Sequence, residues 1–114
     1  MAQNTAKKDV FIDRLIGLAA QTEIVHHIPG RIRLKIRLSG LHRVKDLDAA
    51  DLMRYFNGIL DARANAVSRS IVIHYDERVI APDLWDRLVN AKENSSLEDS
   101  VREQLEGLCK PGVE

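Results

Sequence analysis

The segment Arg31–Leu38 constrains this chain most. Ile32, Leu34, Ile36 and Leu38 occupy every second position, and Arg31, Arg33, Lys35 and Arg37 fill the positions between. Successive side chains of a strand point to opposite faces, so the pattern predicts a strand with one buried and one wet face. Same-face neighbours on a strand lie roughly 7 Å apart. Four cations so spaced repel one another. They require internal counter-charges, solvent, or an anionic partner such as RNA, acidic lipid or an acidic protein surface. Ser39-Gly40 ends the strand, and Pro29-Gly30 marks the entry to it. Pro29-Gly30-Arg31 reads as a bend, or as an anion-holding turn in which Gly30 reaches a backbone conformation other residues avoid.

The flanking pattern extends this strand into a domain. Phe11, Leu15 and Leu18, with Ile12 and Ile16 beside them, recur at helical spacing behind a cap at Asn4 or Thr5. This predicts an amphipathic helix over residues 1–22. Glu23–Leu38 reads as extended chain broken at Pro29-Gly30. Asp46 or Asp48 caps a second helix whose buried stripe is Leu52, Phe56, Ile59 and Leu60, ending near Asp61. Ala64–Ser68 is weakly strand-like, Ser68-Arg69-Ser70 suits a tight turn, and Ile71–Asp76 is a β-branched and aromatic strand. Pro82 opens a helix with Leu84, Trp85, Leu88 and Val89. A polar linker at Glu93–Ser96 leads into a capping box, Ser95-x-x-Glu98. The last helix carries Leu97, Val101, Leu105 and Leu108 and stops at Pro111-Gly112.

The centre of this order is β-α-β-β-α. That predicts an α+β, ferredoxin-like βαββα(β) sandwich over residues 23–92, with an N-terminal helix in 1–22 and a C-terminal helix in 93–114. The fourth strand of that topology is missing or replaced. Its absence exposes the edge of the Arg31–Leu38 strand, which must be covered by the terminal helices, by Glu23–His27 or by a second copy in a homodimer.

Composition removes several classes. The chain has 114 residues, 45% of them apolar and only 4% aromatic, which suits one domain with an aliphatic core. Seventeen basic and 17 acidic residues balance, so any nucleic-acid binding would need a local patch. Cys109 is the single cysteine, which excludes an intrachain disulfide and a Cys-x-x-Cys clip. Near the chain end its expected role is packing. Apolar runs such as Leu15–Ala20 are too short to span a bilayer, and no cleavable signal is evident, so the expected setting is the cytoplasm or the cytosolic face of a membrane. No nucleophile elbow, phosphate-cradling glycine loop or helical His-x-x-x-His pair occurs, so enzymatic activity is not expected.

Two stretches carry a family resemblance. His26, Pro29, Gly30, Arg31 and Arg33 match the pattern His-x-x-Pro-Gly-Arg-x-Arg, and Tyr75-Asp76 ends the later apolar strand. Ile24–Asn90 thereby resembles heavy-metal-associated (HMA)-like domains, in the cysteine-poor variant found at the N-termini of some P-type cation-transporting ATPases and as small free-standing proteins. The resemblance implies a βαββαβ fold and metal-ion handling, with a membrane cation transporter as a partner. Classical members hold soft metals through Cys-x-x-Cys, which this chain lacks.

The remaining donors are His26, His27 and His74. Adjacent residues of an extended segment face opposite ways, so one of His26 and His27, joined by His74, is the expected imidazole pair. Such a pair suits zinc, nickel or copper(II), with Asp76 or another chain completing the shell. Paired histidines also ligate haem iron, although no Cys-x-x-Cys-His attachment motif is present. Two function classes follow. One is a small protein that binds or senses a transition metal or assists its transport. The other is a metal-free adaptor that uses the basic strand face and the open sheet edge. Canonical RNA base stacking is not expected, because the wet face offers His74 and Val72 rather than aromatic rings.

Overall fold

A computed structural model describes residues 7–46 and 48–111, with side chains for all of these except 45 and 46. The order is α1 (Lys7–Ala19), β1 (Thr22–Ile28), β2 (Arg31–Ile36), a 3₁₀ segment (Leu38–Asp46), α2 (Ala49–Tyr55), β3 (Ile59–Asn65), β4 (Ser70–Tyr75), α3 (Asp83–Val89), a 3₁₀ turn (Ala91–Glu93) and α4 (Ser95–Leu108). The cap expected at Asn4 or Thr5 lies outside the described residues, as does Gly112.

The four strands form one antiparallel sheet in the order β1-β2-β4-β3. β2, α2 and β3 are a split β-α-β unit with β4 inserted between its strands, so the expected α+β topology holds. The place of the fourth strand is filled from the opposite direction in sequence. β1 pairs with β2 from Thr22↔Ile36 to Ile28↔Arg31. Pro29-Gly30 is therefore a two-residue hairpin turn, with Gly30 at φ +93°. Proline followed by a positive-φ glycine is the type II turn sequence. The edge of β2 is closed by this hairpin, and the free edges belong to β1 and β3.

Helices cover one face of the sheet. Ile32, Leu34, Ile73, Tyr75, Ile59 and Ala62 from the strands share a core with Ile12 and Ile16 of α1, Leu52 of α2, Trp85 and Leu88 of α3, and Val101 and Leu105 of α4. Both terminal helices thus bury their apolar stripes on the same core, and Arg102 Nη1 lies 2.6 Å from Asp13 Oδ1 between them. Phe11 stacks on Tyr55 at 4.6 Å and packs on Phe56 at 5.4 Å between ring centroids. Among the described residues no helix is long and apolar enough to cross a membrane.

Four local expectations are corrected. α2 ends at Tyr55, not near Asp61. Phe56 is already extended, and Gly58 turns the chain at φ +90°, where a Cβ would lie 2.8 Å from Val79 Cγ1. Ile59 and Leu60 consequently belong to β3, and the weakly strand-like Ala64–Ser68 is the end of that strand plus a turn over Ala66–Arg69. β2 stops at Ile36, so Leu38 leaves the alternation and is 69% exposed. The cap of α4 is Asn94, whose Oδ1 accepts from the Ser96 and Leu97 N–H groups at 2.8 and 3.1 Å, instead of a Ser95–Glu98 box.

Candidate functional site

The face of the sheet turned away from the helices carries most of the polar strand residues, with Ile28 and Val72 among them. Its rows follow from the strand register. Ile28, Arg31, His74 and Asp61 form one row; His26, Arg33, Val72 and Arg63 the next; Glu23, Lys35, Ser70 and Asn65 a third.

A β-bulge decides which histidine reaches this face. Ile24 pairs with Leu34 and His26 with Arg33, so Val25 is an extra residue in β1. The bulge puts His26 outside and turns His27 toward the helices, where its Nε2 lies 2.7 Å from Tyr75 Oη. Tyr75 in turn packs on Trp85 at 5.2 Å. The expected division of His26 and His27 between faces is observed.

His74 lies on the open face as expected, with Nδ1 3.9 Å from Asp61 Oδ2. It is two strands and one row away from His26, on the order of 12 Å between backbones by sheet spacing, with Arg31 and Arg33 of β2 in the intervening strand. Asp76 is held by its own turn. Its carboxylate accepts from the Arg78 backbone N–H at 2.9 Å and from the guanidinium at 3.1 Å twice. The Arg78 hydrogen bonds hold the Asp76 carboxyl below its ordinary range. Among the described residues no group of three His, Cys, Asp or Glu side chains gathers in a way that could hold a metal ion. The donor set does not fit the metal centre that the HMA resemblance implies: one histidine is bonded within the core side, and the other two are apart and flanked by guanidinium groups.

The cation row divides as well. Arg31, Arg33 and Lys35 lie on the open face. Arg37 lies beyond the strand end, where its Nη1 donates to the Ala20 carbonyl at 3.4 Å and it lines a separate hollow with Glu23 and Asp86. Two cations join the face from elsewhere: Arg63 on β3, tied to Asp61 at 3.0 Å, and Arg69 in the β3–β4 turn. Arg63 falls between the expected helix end near Asp61 and the weak strand expected at Ala64–Ser68, so no strand parity assigned it a face. Arg69 was read only as a turn residue, and the proximity of that turn to Lys35 depends on the β2–β4 register.

Arg33, Lys35 and Arg69 line a single hollow of about 670 Å³, together with Ser68, Ser70, Val25, Leu41 and Val67. None of Arg31, Arg33, Lys35 and Arg69 makes an ion pair with a described residue. Pro29 and Gly30 take no part in this hollow; Gly30 contributes its carbonyl to the Tyr75 N–H at 2.9 Å, so the turn serves the sheet. Cys109 is half-buried, its thiol donating to the Leu105 carbonyl at 3.5 Å, and burial pushes its pKa up, away from a reactive thiolate.

Comparison of the chain with models of protein families, with characterised proteins and with solved structures gives no match.

Proposed function

We propose that this protein is a non-enzymatic binding module that engages an anionic partner through the open face of its sheet. One observation carries the reading: Arg31, Arg33, Lys35 and Arg69 share the sheet face that no described helix covers, and no described carboxylate, Glu23 opposite Lys35 included, lies within ion-pair distance of them. Side chains held at strand spacing repel one another, and solvent only partly screens that repulsion. An acidic partner surface removes it and gains complementarity and association rate. The absence of aromatic side chains from the hollow argues against single-stranded nucleic acid, which uses stacking platforms. A cytoplasmic setting suits a chain whose Cys109 is a free thiol.

The test is charge reversal at Arg33 and Lys35 together. The double variant should lose retention on an immobilised acidic polypeptide at moderate ionic strength while keeping its thermal midpoint. Retention equal to that of the unaltered protein would sink the reading.

A further inference from the structure

We propose that the hollow lined by Arg33, Lys35, Arg69, Ser68 and Ser70 is a binding site for a small aliphatic phosphate monoester. The proposal rests on the anionic-partner reading and names the chemical group that the face selects. The cations come from two elements that meet only in the fold, β2 and the β3–β4 turn. A phosphate monoester carries a charge of about −1.5 to −2 near neutral pH and presents three acceptor oxygens. Three cations match that group better than they match a single carboxylate, and arginine offers paired donors for its oxygens. Ser68 Oγ and Ser70 Oγ are 2.6 Å apart, so one hydroxyl donates to the other and the second hydroxyl hydrogen remains for an outside acceptor.

The backbone of Arg69 supplies an independent indication. It stands at φ +54°, and it is the one positive-φ residue other than glycine among those described. Glycine or asparagine occupies such a position at lower cost, so an arginine held there points to a use for its side chain. The turn does not itself need that side chain. Its hydrogen bonds are made by backbone, Arg69 C=O to the Ile36 N–H at 2.7 Å, and by Asn65 Oδ1 to the Ser68 N–H at 3.1 Å.

The rim identifies the rest of the ligand. Val25, Leu41 and Val67 stand around the cations at 46%, 44% and 97% exposure. Aliphatic carbons beside a phosphate would cover them, and the hollow has the size of a small-molecule site. No ring lines it to stack a nucleobase.

Calorimetric titration at constant ionic strength tests this with butyl phosphate, inorganic phosphate, butyrate, and phosphatidylcholine vesicles with and without phosphatidic acid. The expected result is saturable 1:1 binding of butyl phosphate, at least tenfold tighter than butyrate and tighter than inorganic phosphate. Arg69→Gly should weaken it at least tenfold while leaving the thermal midpoint unchanged or raised, since glycine relieves the positive φ. Three outcomes overturn the proposal: no saturable butyl phosphate binding, binding indifferent to Arg69→Gly, or binding confined to phosphatidic acid vesicles. The acidic-polypeptide assay fails separately. If charge reversal abolishes retention there but butyl phosphate does not bind, the site is wrong and the anionic-partner reading stands. If butyl phosphate binds through Arg69 and retention is indifferent to charge reversal, the partner is a small anion and not an acidic polymer surface, and the small-molecule site stands.

Discussion

The two faces of the sheet are made by the same strands, yet they are held to different standards. On the helix side Ile32 is fully buried, Ile73 and Tyr75 nearly so, and the polar Tyr75 Oη has a partner in His27. On the open side Arg33 is exposed, and the nearest complementary charges lie in other rows. The first face is satisfied by the chain itself except at Trp85 Nε1, a buried donor with no partner among the described residues. The second leaves like charges beside one another, which is unfavourable for folding and useful only toward something outside.

Adjacent residues give the sharpest break of this comparison. Ile32→Ala removes a fully buried side chain from the core between the helices and the sheet and should lower stability by about 2–5 kcal/mol. Arg33→Ala, one residue along, should change stability by no more than about 0.5 kcal/mol. Urea denaturation of the two variants reads the difference directly; equal losses would mean that the open face is covered in solution. The histidines repeat the contrast on a smaller scale. Tyr75→Phe leaves His27 without its partner and should cost about 1 kcal/mol, whereas His26→Ala should be near neutral.

Acid tests a third level, that of a locally closed pair. The Asp76 carboxyl titrates below its ordinary value of 3.8 because Arg78 hydrogen-bonds to its charged form. A depressed folded-state pKa contributes stability above the unfolded-state value, and that contribution is lost as pH falls through the folded one. Asp76→Asn should therefore reduce stability slightly at neutral pH and flatten its decline below about pH 4. The effect is small because Arg78 is 87% exposed. An unchanged acid limb would mean that the pair does not hold in solution.

β2 was legible because its alternation is uninterrupted over six residues, and β4 because its run of β-branched and aromatic residues suits a strand. The α2–β3 boundary was not, because Leu52, Phe56 and Ile59 keep helical spacing across a turn. Only Asn57-Gly58 signals the break, and Gly58 must be glycine for contact with Val79 as well as for φ. The filling of the fourth-strand position by β1 was one of several options, since hairpin and open chain share the Pro29-Gly30 signature. Of the candidate site, Arg33 and Lys35 were read directly from periodicity. Arg69 could not be, because its neighbourhood is created by strand pairing between residues more than thirty positions apart. The metal donors failed to gather for the same reason: His26 and His74 share a face, but register separates them.

The bulge at Val25 is the smallest perturbation that probes both faces at once. Deleting Val25 leaves Thr22, Ile24 and His27 facing the helices and Glu23 and His26 facing out, because the bulge supplies the one residue that breaks strict alternation. The His27–Tyr75 bond and the thermal midpoint should therefore be nearly unchanged. What changes is the edge. β1 borders the sheet, and a bulge bends an edge strand away from pairing with another chain. A straightened β1 offers an unbroken row of backbone groups, so the deletion variant should self-associate more strongly than the parent in sedimentation velocity. A variant that stays as monodisperse as the parent would show that the bulge serves only to aim His26 and His27. A variant with a collapsed midpoint would show that Val25 itself, at the rim of the cationic hollow, supports the sheet.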